Sequence, residues 1–201
     1  KELSVANIDY MQGDILKLNT LDRQFDIIES AGVLHHMEEP LVGWKVLVDL
    51  LKPQGLMRIG LYSEIARQHI VEIREFIAKK GYENSSEDIR QCRYEIMNMP
   101  TDSGSRIQMI INFLDFYSLS ECRDLLFHVQ EHRFTLPQIE NALKKLGLIF
   151  IGFDCDTQIE NQFKVSYSNN GDLFSLPLWH QFEQDHPNAF IDMYQFWVKK
   201  I

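Results

Sequence analysis

The chain opens on two short apolar runs of β character. Ile8–Met11 stops at Gly13-Asp14, and Phe25–Ile28 is entered through the polar turn Asp22-Arg23-Gln24. Both are expected as buried strands. The next apolar stretch changes period: in LVGWKVLVDLLKPQG, residues Leu41, Trp44, Val48 and Leu51 recur at helical spacing and Pro53-Gln54-Gly55 ends the pattern. Leu56–Tyr62 follows as a strand. Strand, amphipathic helix and strand at these lengths form a crossover, which implies a parallel sheet with helices on its faces.

After Tyr62 the period stays helical. A helix from about Ile65 to Lys80 is closed by Gly81, another opens near Ser85-Ser86-Glu87, and more helix runs from Arg106 to Gln130. So much helix without a strand predicts an insertion over 64–133, between core segments 1–63 and 134–201. Thr135-Leu136-Pro137-Gln138 gives a capping box with Pro in the first turn; Ile139, Leu143 and Leu146 form the stripe and Gly147 the stop. Leu148–Phe153 is then a strand, Asn169-Asn170-Gly171-Asp172 a loop, Leu176–Asp185 an aromatic-rich helix and Tyr194–Val198 a closing strand. No internal repeat or low-complexity tract interrupts this order.

Composition narrows the class. With 201 residues, 45% of them hydrophobic, one domain with a full core is expected. Cys92, Cys122 and Cys155 lie far apart with no C-x-x-C pair, so no zinc or disulfide framework is indicated and a reducing, cytoplasmic setting is expected. The net charge of -9 argues against a surface that wraps nucleic acid or anionic lipid. No apolar run approaches the roughly 20 residues of a membrane helix. Because the chain starts at Lys1 with a strand-like run close behind, its first element is expected to belong to something longer.

The order resembles the second part of a class I S-adenosylmethionine-dependent methyltransferase: third strand ending QGDI, fourth strand FDIIESAGVLHHM, helix, turn KPQG, fifth strand, inserted helices, then LKKLGLIFIGFD and a final strand. It is most similar to bacterial methyltransferases often fused to tetratricopeptide repeats. The resemblance implies a partial Rossmann-like α/β sheet, strands three to seven with the last antiparallel, a helical lid between strands five and six, and S-adenosyl-L-methionine as cofactor. The family's G-x-G-x-G loop and the acidic residue ending strand two are absent from these 201 residues. They are expected upstream of Lys1, leaving part of a cofactor site here.

Open parallel sheets bind ligands beyond the carboxyl ends of their strands. In the family Asp14 accepts from an adenine amino group while Ile15 offers its backbone N–H, with Gly13 beside them; a plain turn or N-cap is the competing reading of Gly13-Asp14. Glu29, Ser30, Ala31 and Gly32 follow strand four, where small residues let backbone approach a ligand. His35 and His36 then stand where a methyl group would be delivered, as a base for an O–H or N–H acceptor or as loop-shaping hydrogen bonders. Tyr62, ending strand five, would edge the acceptor pocket.

In DFYSLSECRDLLFHVQEHRFTL a helix would place Asp124, His128 and either Glu131 or His132 on one face, so His128 joins the candidates. The same stretch spells H-x-x-E-H at His128, Glu131 and His132, an inverted zinc-protease pattern with Glu183 as a third-ligand candidate. Three functions therefore stand: methyl transfer to an O, N or C acceptor, a non-catalytic interaction module, and a metal-dependent hydrolase. The first predicts no resident metal. The partner it implies is a small-molecule or protein acceptor, and aromatics near Trp179 offer a homodimer face.

Overall fold

β1 (Phe25–Ala31) carries β-branched Ile27 and Ile28 at its centre, with Ile28 and Ser30 turning to one face and Ile27 and Glu29 to the other. The computed structural model describes residues 7–100, 105–128, 130–167 and 173–201. α1 (Pro40–Leu50) starts with Pro in its first turn and buries Trp44, Leu47 and Val48. β2 (Leu51–Ser63) returns parallel to β1, from Ile27 opposite Leu56 to Ala31 opposite Gly60. The predicted turn at Pro53-Gln54-Gly55 lies inside β2 as an irregularity: Phe25 pairs with Leu51 but Ile27 with Leu56, and Gln54 takes φ 65°.

Helices follow as α2 (Gln68–Lys80), α3 (Ser86–Met97), α4 (Arg106–Asn112) and α5 (Leu119–Leu126). Gly81 ends α2 in the left-handed conformation and Ser85 caps α3. These four helices share an apolar cluster of their own, including Ile70, Ile77, Cys92, Ile110 and Leu125. The continuous helix expected from Arg106 to Gln130 is broken at Phe113 and ends at Leu126. Beyond it the backbone turns to the sheet, where β3 (Arg133–Phe134) pairs parallel with Tyr62 and Ser63 of β2.

α6 (Leu136–Leu146) has the expected capping box and stops at Gly147, φ 68°. β4 (Leu148–Phe153), α7 (Thr157–Ser166), α8 (Leu176–Asp185) and β5 (Tyr194–Lys200) complete the described chain. The sheet order is β1-β2-β5-β4; β5 is antiparallel to both neighbours, so β1, β2 and β4 share one direction. Its core joins Trp44, Ile59 and Leu61 to Trp179, Phe182 and Phe196. α8 is tied to the sheet by a buried carboxylate: Glu183 accepts from Ser63 Oγ at 2.5 Å and from Tyr194 Oη at 2.6 and 2.8 Å.

The strand predicted at Ile8–Met11 does not form. Residues 7–14 lie outside any strand, and Ile8, Tyr10 and Met11 are exposed. A β run is stable only with a ladder partner, and β1 pairs with β2 alone among the described residues. The loop predicted at 169–172 lies outside the described residues.

Candidate functional site

Three chain segments converge beyond the carboxyl ends of β1 and β2. The loop after β1 supplies His35 and His36, the end of β2 supplies Tyr62, and the segment leaving α5 supplies His128. Ring centroids stand 4.0 Å apart for His35 and Tyr62, 4.3 Å for His35 and His36, 4.2 Å for His36 and His128, and 6.3 Å for His36 and Tyr62. Backbone pairing enforces the convergence: His132 N–H donates to the His35 carbonyl at 2.8 Å and Glu64 N–H to the Phe134 carbonyl at 2.9 Å.

The histidines differ in what they offer a ligand. His35 is fully buried, and neither ring nitrogen has a hydrogen-bond partner among the described residues. Burial first, then the neighbouring His36, lowers its pKa to about 4. His36 is half-buried, and its Nδ1–H donates to the Gln130 carbonyl at 3.1 Å, which leaves Nε2 as a lone-pair acceptor. His128 Nδ1 accepts from Gln130 N–H at 3.3 Å, so in the neutral ring Nε2 carries the proton.

Behind the rings lies an ion group. The Arg67 guanidinium carbon sits 3.7 Å from the Tyr62 ring centroid, and Arg67 and Arg74 both donate to Glu131 Oε2, at 2.9 and 3.0 Å. The side chains of Arg67 and Glu131 are only 4% and 1% exposed. Despite the cost of its own burial, Glu131 is held below the usual carboxylate range by the two guanidinium groups. Burial pushes the Tyr62 hydroxyl up.

The predicted cofactor residues are more scattered. Ser30 is buried and its hydroxyl has no hydrogen-bond partner among the described residues. Glu29 is exposed on the opposite sheet face, where Arg58 pairs with it and with Asp154 at 2.8 Å. Ala31 and Gly32 are exposed; Gly32 takes φ 74°, with open space where a Cβ would stand. Asp14 caps the 3-10 turn Ile15–Thr20 by accepting from Leu16 N–H at 3.0 Å. Gly13 lines an apolar groove with Phe25, Ile27, Leu47 and Leu50, against the first half of β1. The structure thus groups the four acceptor-side candidates and keeps Gly13 apart from them.

The H-x-x-E-H pattern takes a different form from the expected helix. His128, Glu131 and His132 lie after α5, outside any helix, so the one-turn spacing that would aim both imidazoles at a metal is lost. Glu131 is engaged by two arginines, and Glu183 is sealed under Ser63 and Tyr194. Asp124 sits exposed on α5. Arg67, the residue before α2, and Arg74 within it were absent from the sequence candidates; their seven-residue spacing was their only signal.

Residues 1–59 match the family described as a methyltransferase domain. Beyond them, the second-to-last position of the sheet is filled by the last strand, running against its neighbours. The match covers the first crossover of the chain, and the remainder is similar to methyltransferases in fold alone. Among the chain's relatives, an uncharacterised protein of Synechococcus sp. is 28% identical over 181 residues, 87% of this chain and 43% of its own length. The structure of PKMT2 from Rickettsia typhi superposes with a TM-score of 0.66 at 15% identity, over 92% of this chain and 37% of that one. The same protein in complex with AdoHcy gives 0.64. The chain therefore spans less than half the length of these relatives, and the likeness to PKMT2 is one of fold.

Among the described residues no helix is long and apolar enough to cross a membrane.

Proposed function

We propose that the chain takes part in S-adenosyl-L-methionine-dependent methyl transfer to an O, N or C acceptor. The observation that carries this reading is the convergence of His36, His128 and Tyr62 at the carboxyl rim of a sheet of methyltransferase order. The AdoHcy complex of PKMT2 supports the choice of cofactor. The residues fit such a group where Ala31 and Gly32 leave exposed, unobstructed backbone just past β1. Glu29 to Gly32 would line the cofactor, with Gly13, Asp14 and Ile15 at its adenine end.

When bound, the cofactor supplies an electrophilic methyl group. The chain's own task is to orient the acceptor and exclude water, so that attack is in line. His36 Nε2, free because Nδ1 is held by Gln130, receives the acceptor's proton, and His128 and Tyr62 hold the acceptor beside it. His35, buried and neutral, packs Tyr62 in place. The helices between β2 and β3 act as a lid over this rim.

The test is an AdoHcy titration followed by amide NMR. Binding is expected to be weak, since the glycine loop is not among these residues, but it should move the resonances of Glu29–His36, and Gly32→Val should abolish those shifts. Saturating AdoHcy with no change in that loop would refute the proposal.

A further inference from the structure

A second opening, of about 410 Å³, lies between the helices after β2 and the Pro187-Asn188 turn that leads into β5. Its apolar wall includes Ile65, Met109 and Pro187. Most of its charged and amide side chains are already paired: Glu64 with Arg133 at 3.0 Å, Gln68 with Glu64 at 3.2 Å and Arg106 with Glu72 at 3.2 Å. His69, which also lines it, is different.

His69 is 2% exposed, and its ring is fixed twice. Nδ1–H donates to the Ala66 carbonyl at 2.8 Å, and the ring stacks on Phe113 with centroids 5.5 Å apart and 11° between planes. A neutral imidazole whose Nδ1 is the donor keeps its lone pair on Nε2. That nitrogen is buried and has no partner among the described residues. Burial lowers the His69 pKa, which keeps the ring neutral and the lone pair available. An unmet acceptor on the wall of a cavity is completed by a donor from a ligand, and a buried acceptor left unmet is costly.

We propose that this cavity is a second ligand site, and that its ligand is a small, partly apolar molecule presenting an O–H to His69 Nε2. The cavity is distinct from the rim where His36, His128 and Tyr62 converge, since none of those three lines it. An ammonium donor fits less well, because the nearest carboxylate on the wall, Glu64, is neutralised by Arg133. The apolar wall receives the body of the molecule.

Three probes separate these features by calorimetry: 4-hydroxybenzoate, 4-methoxybenzoate and benzoate. The hydroxyl compound is expected to bind at least about tenfold more tightly than the other two, the usual scale for one buried hydrogen bond. In His69→Phe that preference disappears; in His69→Gln, which keeps an acceptor, part of it remains. In nitrogen-15 spectra of the unaltered protein, the hydroxyl probe shifts the Nε2 resonance of His69 and leaves Nδ1 bonded to Ala66. Equal binding of the three probes, no binding of any, or an unmoved Nε2 resonance overturns the pocket assignment. AdoHcy binding is scored separately on Glu29–His36: if only that fails, the methyl-transfer reading falls and the donor-reading pocket stands on its own data.

Discussion

At His35 both ring nitrogens lack a partner among the described residues, and burial lowers the pKa from 6.5 to about 4. Between those values the unfolded chain holds a proton that the folded chain does not. Stability therefore falls as pH drops through that window and is fully present above it. The upper bound of this contribution is about 3 kcal/mol. Glu183, whose pKa is raised by burial, acts in the opposite direction, so the useful comparison is with a variant that keeps it. Urea unfolding at pH 7 and pH 5 should show a smaller loss in His35→Phe than in the unaltered protein; an equal loss would place the titration elsewhere. The sequence singled out His35 and His36 together. Only the Gln130 carbonyl, distant in sequence, distinguishes the ring with a usable lone pair from the ring that is packing.

Among the elements, the segment 128–134 departs most from its sequence pattern. Its residues continue a helical period, yet Tyr62 and Ser63 pair with Arg133 and Phe134, and the His35 carbonyl takes the His132 N–H. Local propensity, worth tenths of a kcal/mol per residue, gives way to such tertiary bonds. Glu131 is the clasp between this segment and α2. Glu131→Gln leaves Arg67 and Arg74 without their shared carboxylate and is expected to cost about 3 kcal/mol, the scale for breaking a buried ion pair. Chemical denaturation measures this, and a loss below about 1 kcal/mol, the scale of an exposed pair, would show the group to be solvated. Elements with strong end signals were legible: α6 between its capping box and Gly147, and α8 over Leu176–Asp185. α7 went unread, although Asp156 caps it by accepting from Gln158 N–H at 2.6 Å.

For the whole molecule, β2 and β5 are the two strands flanked on both sides, while β1 and β4 each pair along one edge among the described residues. Hydrogen exchange should be slowest at Met57–Leu61 and Phe196–Val198, and β1 should alternate between protected amides facing β2 and fast ones on its open side. Uniform protection along β1 would contradict one-sided pairing.

The amino-acid sequence determined which segments are helix or strand wherever periodicity and caps agree, the parallel β1-α1-β2 crossover, and the placing of histidines just past a strand end, because these follow from interactions between near neighbours. It did not determine whether Ile8–Met11 forms a strand, where α5 ends, or which side chains meet Glu131 and His69. Those outcomes depend on ladder partners and burial supplied by residues far along the chain, so only the tertiary structure decided them.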